Sequence, residues 1–288
     1  GVYLYFYCEE AMMQSSSIPD HTESSIYPPA QGPARFNDPY RPPPDDLKRF
    51  ARLFMRDLSP PSDEQIESLR VALHRGDPLA DSWTAYAHEN LDRAEAKRWV
   101  ELALFEGVQK LSQRSDAPAP LVDLMRQIET QPLWLDPKLL DLAHLTFRRS
   151  AFIGDWVLIQ VSLMGGYRHE GVIQPLLYTG RLREYAVKRM ADTSQFLIHV
   201  TEKNALNTGD IGYRAAVQVR LLHAHIRYYL NREESWSDAD WGSPINQADL
   251  AGTNLLFSLS FLTASRIMGM RFTDRESRSI IHLWRYVG

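Results

Sequence analysis

The sequence predicts an all-α fold, and three observations lead to that prediction. After residue 46, apolar residues recur at the spacing of amphipathic helices through most of the chain. Capping residues and Pro or Gly breakers separate these apolar segments from one another. No run alternates between apolar and polar residues as a half-buried strand does, and no segment is repeated along the chain.

The N-terminal part is expected to be an extended arm. Residues 14–44 are rich in Ser and Pro and show no apolar period. The first capping signal is Asp45 or Asp46, ahead of a helix that starts at Leu47 and ends before Pro60. We therefore expect two regions, which are an arm or linker over residues 1–46 and a helical domain over residues 47–288.

Helix starts are marked along the rest of the chain. Ser62 and Gln65 have the spacing of a capping box, as do Thr273 and Glu276 near the C-terminal end of the sequence. Asp77 followed by a proline opens a further helix, and Asp210 precedes another. The apolar spacing predicts the longer helices over residues 87–112, 121–129, 141–164, 182–200, 211–230, 246–269 and 273–287.

The composition excludes several functional classes. The chain has 288 residues, 44% hydrophobic content and a net charge of −4, which is ordinary for a globular protein and unlike a nucleic-acid binder. The single cysteine, Cys8, excludes an internal disulfide framework, a cysteine-based zinc site and an iron–sulfur cluster. The nine histidines are scattered and have no zinc-finger spacing.

No membrane-spanning segment is expected. The apolar runs 151–164 and 255–264 are shorter than about 18 residues and contain polar side chains. Residues 1–13 are apolar but lack the basic start of a signal peptide. A cytoplasmic location and secretion after removal of an export signal both remain open.

The helix over residues 211–230 carries the most informative pattern in the chain. A helix turns about 100° per residue, so Arg220, His223 and Arg227 fall on one face, while His225 points almost the opposite way. Burying two guanidinium groups in this apolar segment is costly unless anions meet them. A haem would supply an iron for the imidazole and two propionates for the arginines. Aspartates or glutamates of neighbouring helices are the alternative partners.

Five short segments occur in a fixed order in the C-terminal half of the chain. They are Thr179-Gly180-Arg181-Leu182, Arg189-x-x-x-Thr193, Val219-Arg220-x-x-His223-Ala224-x-x-Arg227, Gly242-x-Pro244-Ile245-Asn246-Gln247-x-Asp249 and Leu283-Trp284-Arg285-Tyr286-Val287-Gly288. Together they resemble the catalytic domain of the latex-clearing protein (rubber oxygenase) and MpaB-type oxygenase family. The resemblance is strong over residues 151–288 and weak upstream.

The resemblance implies a globin-like helical core with additional helices and a haem b cofactor. It implies that His223 is the proximal iron ligand, that Arg220 and Arg227 support it, and that Arg189 and Thr193 line the distal side. The spacing of Arg189 and Thr193 agrees with that role, because residues four apart share a helix face. Solvent exposure of Arg189, and back-bonding of Thr193 to its own helix, are the alternatives.

The chain departs from the family pattern at two positions. Asp192 stands where latex-clearing proteins carry a lysine, and Ile173 stands where they carry a glutamate that acts as a base. Whether Glu170 or Asp192 acts as a base instead is left open. Family members also usually run on beyond the position of Gly288, and whether this chain continues past it is left open.

The expected function is a haem b-dependent oxygenase that uses dioxygen on a hydrophobic small molecule or a polyisoprenoid, with cleavage of a C=C bond as the family outcome. The alternatives are a haem-dependent monooxygenase or peroxidase-like tailoring enzyme, a non-catalytic haem or oxygen carrier, and a helical scaffold without a cofactor. We expect Asn246, Gln247 and Asp249 to be turn and cap residues rather than catalytic ones.

Overall fold

The computed structural model describes residues 32–37, 61–158, 170–178 and 186–288. In these ranges the fold is all-α, as the sequence predicts, and contains no β-strand. The N-terminal half contains α1 (Ala34–Asn37), α2 (Asp63–Ala72), α3 (Pro78–Asn90), α4 (Arg93–Leu111) and α5 (Ala119–Glu129). The C-terminal half contains α6 (Pro137–Val157), α7 (Glu170–Tyr178), α8 (Ala186–Thr201), α9 (Ile211–Leu230), α10 (Asp238–Trp241), α11 (Gln247–Leu255), a π-helical turn (Leu256–Ser260), α12 (Phe261–Ile267) and α13 (Asp274–Val287).

The predicted capping signals begin helices where the sequence places them. Ser62 and Gln65 form a complete capping box at the start of α2, and Thr273 forms one with Glu276 at the start of α13. The side chain of Asp77 caps α3 with a proline in the first helical position. Asp210 precedes α9 as predicted, but its side chain makes no capping hydrogen bond.

The single helix predicted over residues 87–112 is wrong. The helix α3 ends at Asn90, and Asp92 starts α4 with a second capping box that includes Glu95. The apolar spacing continues across this break, whereas the capping hydrogen bonds satisfy the backbone donors that start a new helix. Inside α4, Gly107 adopts a φ of 75°, which kinks the helix.

Several of the predictions fall partly or wholly outside the described residues. They include the helix expected from Leu47, the end of the helix predicted over residues 141–164, the start of the helix predicted over residues 182–200, and the segment 179–182. Of the predicted arm, only residues 32–37 are described. They form the short helix α1, and Gly32 and Pro33 beside it are buried. The likeness to a globin core stays a prediction.

Two clusters of buried side chains form the core, and α9 contributes to both. The first cluster joins α3, α4 and α5 to one side of α9, through Val217, Leu221 and Ala224. The second cluster joins α6, α8, α12 and α13, and Ala216 of α9 packs against it. The helix that carries His223 therefore lies between the two clusters, with different faces turned towards each.

The length and polarity of the helices also bear on membrane insertion. Within the ranges that the structure describes, none is long and apolar enough to cross a membrane.

Candidate functional site

The face of α9 that carries Arg220, His223 and Arg227 meets the start of α3. His223 is half-buried, and Arg227 is almost fully buried, with a side-chain exposure of 2%. The two arginines stand about two helical turns apart, one on each side of His223 along the helix. Both arginines bind carboxylates of the protein itself.

Arg220 binds Asp77, the capping residue of α3. Its Nε atom donates to Oδ2 at 2.6 Å and its Nη2 atom donates to Oδ1 at 3.0 Å. Burial raises the pKa of the Asp77 carboxyl, but the hydrogen bonds and charge of Arg220 outweigh burial, so this pKa lies below its usual value. Asp77 is therefore ionised at neutral pH and forms a two-point pair with the guanidinium.

Arg227 binds Asp81, one turn further along α3. Its Nε atom donates to Oδ1 at 2.8 Å, and its Nη2 atom also lies 2.8 Å from Oδ1. The remaining nitrogen, Nη1, donates to the backbone carbonyl of Ile245 at 2.8 Å. Burial raises the pKa of the Asp81 carboxyl, and the hydrogen bond and charge of Arg227 offset only part of that rise. Nε and Nη1 of this buried guanidinium thus donate hydrogen bonds to the protein, whereas Nη2 lies close to Oδ1 of Asp81 as an ion pair without a hydrogen bond.

The two arginines differ in what they leave for a ligand. The side chain of Arg220 is 29% exposed, and its contacts with Asp77 use Nε and Nη2. Its Nη1 atom has no hydrogen bond to any described residue, so this partly exposed nitrogen can donate to an anion. Nη2 of Arg227 also lacks a hydrogen bond among the described residues, but it is buried beside Asp81. The geometry at Arg227 favours the alternative that the sequence left open, in which a neighbouring carboxylate is the partner.

His225 points away from this face, as the helical spacing predicts. It is fully buried, and its Nδ1 atom lies 3.1 Å from Nε2 of His88 on α3. Burial, followed by the charge of His88, lowers the pKa of His225 to about 3. Its ring also contacts Tyr229 edge-on, with 4.8 Å between the centroids, so His225 is a packed core residue.

The helix α8 packs against α9 and carries Arg189 and Thr193. A methyl group placed on Gly212 would lie 2.6 Å from the carbonyl oxygen of His199, so the two helices approach closely there. Consecutive helices that pack together across a short connection run antiparallel. Counting about eleven residues along each helix from this approach brings the backbone of Arg189 level with His223.

Thr193 lies one turn further along α8 and is half-buried. Its neighbour Ser194 donates a hydrogen bond to the carbonyl of Met190 on its own helix, at 2.8 Å. Within the described residues, the Thr193 hydroxyl makes no such bond, which leaves it available for another partner. Asp192, at the position of the family's lysine, forms a 2.8 Å ion pair with Lys188.

The segment over residues 242–249 ties α9, α11 and the start of α3 together. Asn246 caps α11, and its amide donates to the carbonyl of Ser243 and to Asp249. Gln247 donates to the carbonyl of Gly76, which immediately precedes Asp77. These contacts support the expectation that Asn246, Gln247 and Asp249 are turn and cap residues.

Similarity to known families covers the half of the chain that contains α9. The family model of the ER-bound oxygenase mpaB/B′/rubber oxygenase catalytic domain matches residues 135–288, which is more than half of the chain. The chain belongs to this family. Membership makes it an oxygenase, and thus an oxidoreductase. No curated protein and no solved structure matches the chain at a significant level.

The range matched by the mpaB/rubber oxygenase family contains all five predicted site residues, namely Arg189, Thr193, Arg220, His223 and Arg227. Asp77 and Asp81 lie upstream of that range, in α1–α5, where the sequence resembles the family only weakly. The sequence predicts neither aspartate as a site residue. Asp77 carries a local signal as a helix cap, whereas nothing in the sequence around Asp81 indicates its partner.

The two departures from the family pattern lie on α7 and α8. Ile173, at the position of the family's glutamate, is half-buried on α7. Glu170, the nearest carboxylate upstream of it, is the first residue of α7. The helix α7 also contacts α9, and it has an alkyl side chain at the position of the expected base.

Proposed function

We propose that this member of the mpaB/rubber oxygenase family is a haem b-dependent oxygenase in which His223 binds the iron. The observation that carries the proposal is a half-buried imidazole in the motif that the family resemblance assigns to the proximal ligand, within the range that the family model matches. Bound haem supplies an iron that can bind and activate dioxygen.

The residues present fit a haem in part. A single imidazole is the protein ligand that a porphyrin iron requires, since the ring supplies the other nitrogens. In the described part of the chain, no group of three or more His, Cys, Asp or Glu side chains could hold a metal without such a ring. One propionate can meet Nη1 of Arg220, whereas Arg227 is only 2% exposed and is buried against Asp81, which closes it to the other propionate.

The protein's own contribution to the reaction is orientation and hydrogen bonding. His223 would hold the haem from α9. Arg189 and Thr193 share a face of α8 and are the proposed hydrogen-bond donors towards dioxygen. A guanidinium and a hydroxyl there can donate hydrogen bonds to an oxygen that gains negative charge.

The substrate we propose is hydrophobic, with an alkene or similarly electron-rich carbon as the reacting group. Oxidative cleavage of a C=C bond is the outcome that the rubber oxygenase resemblance suggests. A monooxygenase or peroxidase-like activity on a small lipid is the second candidate, and Ile173 favours it. An alkyl side chain cannot remove a proton from the substrate, as the family's glutamate is thought to do.

The test of the cofactor compares two histidines of α9. The purified protein is reconstituted with haemin, and its Soret absorbance is measured per mole of folded protein. We expect His223→Ala to lose the bound haem, while His225→Ala and the milder His225→Gln retain it. Far-ultraviolet circular dichroism checks the fold of each variant. Equal haem content in all of the variants would remove His223 as the ligand.

The test of the reaction follows oxygen consumption with a panel of alkenes. Mass spectrometry of products formed from isotope-labelled dioxygen then counts the oxygen atoms inserted and shows whether a C=C bond is cut. We expect Arg189→Ala and Thr193→Val to keep the haem and slow turnover. A protein that stays colourless after reconstitution would overturn the haem proposal.

A further inference from the structure

We infer that Asp77 and Asp81 are positioning residues for His223, acting through Arg220 and Arg227. As far as it concerns haem, this inference rests on the proposed function. Neither aspartate lies in the range that matches the family. A part of the chain outside the matched range would thus hold the helix that carries the Val219–Arg227 motif.

The two ion pairs are arranged on both sides of His223. Asp77 and Asp81 both belong to the start of α3, and each accepts hydrogen bonds from an arginine of α9 with both carboxylate oxygens. His223 lies between those arginines along the helix. A two-point pair fixes the orientation of a guanidinium as well as its distance. Rotation or sliding of α9 against α3 would therefore break both pairs together.

Burial makes the pair at Arg227 hard to break. The side chain of Arg227 is 2% exposed, and its Nη1 atom donates a hydrogen bond to the backbone carbonyl of Ile245. Breaking this pair would leave a buried charge without a partner and would strongly destabilise the folded protein, so the contact should persist. Ile245 itself has a φ of 49°, which a β-branched residue rarely adopts. The backbone is thus held in a costly conformation at the point where it binds Arg227.

The loop before α3 is itself fixed. The backbone N–H of Gln247 donates to the carbonyl of Arg75, and its side chain donates to that of Gly76. Gly76 leaves no room for a side chain, because a methyl group there would lie 2.9 Å from Cδ of Arg227. These contacts restrain the loop that leads into α3, and so they restrain the cap Asp77 and the first turn of the helix that carries Asp81.

The experiment uses Asp77→Asn and Asp81→Asn, which remove each charge and keep the size of the side chain. The matched control is Glu67→Gln, which removes the charge from an exposed two-point pair with Arg70 on α2. The first measurement needs no cofactor. It is the NMR chemical shift of the His223 ring in protein that is isotope-labelled at histidine. The signal is assigned to His223 by its loss in His223→Gln.

We expect both aspartate variants to move the His223 resonance, while Glu67→Gln leaves it in place. An unchanged His223 resonance in both folded aspartate variants would overturn the inference. Should Asp77→Asn or Asp81→Asn fail to fold, the other decides. If neither folds, the test uses Asp77→Glu, which keeps the charge but lengthens the side chain, with Glu67→Asp as its control. An unchanged His223 resonance in Asp77→Glu would then overturn the inference.

The second measurement uses the haem-loaded protein and follows the transfer of haem to an excess of an acceptor protein. Loss of residues that orient a metal ligand lowers affinity by about 10-fold or more, so the aspartate variants should release haem at least that much faster. Release at the wild-type rate from both would also overturn the inference. If the wild type takes up no haem, the proposed function fails, and the resonance of His223 still decides the role of the aspartates.

Discussion

The Nε2 atom of His88 and the Nδ1 atom of His225 lie 3.1 Å apart, and the two rings stack with 4.8 Å between their centroids. Tyr228 stacks on His88 as well, at 4.3 Å, and the guanidinium of Arg232 lies 3.5 Å from the centre of the Tyr228 ring. A hydrogen bond between two imidazoles needs one donor and one acceptor, so at least one ring must be neutral. Protonation of both rings would break the bond.

This pair makes the free energy of unfolding depend on pH. Burial lowers the pKa of His88, and it lowers the pKa of His225 from 6.5 to about 3. The unfolded chain therefore binds more protons than the folded one, and stability falls as the pH drops below about 6.5. The loss at His225 should approach about 1.4 kcal/mol per pH unit until about pH 3. Urea unfolding of the cofactor-free protein over this range measures it.

The control for the pH effect is His225→Phe, which keeps an aromatic ring in the stack and removes its titration. Its free energy of unfolding should change less steeply with pH than that of the wild type. Parallel pH profiles of the two proteins would show that the histidine pair does not set the acid sensitivity.

A second prediction concerns the buried ion pair of Arg227. Asp81→Ala removes the carboxylate and leaves a guanidinium that is 2% exposed, so it should destabilise the protein by about 3–5 kcal/mol. Glu67→Ala, which removes the partner of Arg70 in an exposed pair, should cause no measurable change. Thermal and urea unfolding of both variants would measure the contrast, and equal effects would contradict it.

A third prediction compares two glycines of the C-terminal half. Gly242 has a φ of 74° and packs against the carbonyl of Leu73, so Gly242→Ala is strained in its backbone and lacks space. The positive φ alone should cost about 1–2 kcal/mol. Gly252 lies within α11 with no atom within 4 Å of its added methyl group, so Gly252→Ala should stabilise by about 0.5–1 kcal/mol. Opposite shifts in Tm are expected, and shifts of the same sign would contradict the different surroundings of the two glycines.

A fourth prediction separates a buried cap from an exposed one. Ser62→Ala removes an exposed cap of α2 and should cost about 1 kcal/mol. Asn246 is fully buried and binds Ser243 and Asp249 in addition to capping α11. Asn246→Ala should therefore cost more than Ser62→Ala, because buried acceptors lose their donor. Urea unfolding of both variants tests the order, and the reverse order would contradict the role of Asn246.

Local signals predict the ends of helices better than any other feature of this chain. The capping boxes at Ser62 and Thr273 depend on residues three apart, and the structure confirms both. The same kind of signal stands at Asp92, yet the apolar spacing that continues across it predicts α3 and α4 as one helix. Apolar spacing reports which face of a helix is buried but is insensitive to a break that preserves the spacing.

The sequence by itself determined the all-α class, the family and the opposite directions of His223 and His225 on one helix. These follow from periodicity, which acts over a few residues, and from motifs in a fixed order. Only the tertiary structure decided what the two arginines bind. Their partners Asp77 and Asp81 lie 143 and 146 residues away in the chain. The anion that meets a buried guanidinium depends on which helix packs beside it, and short-range patterns carry no information about that choice.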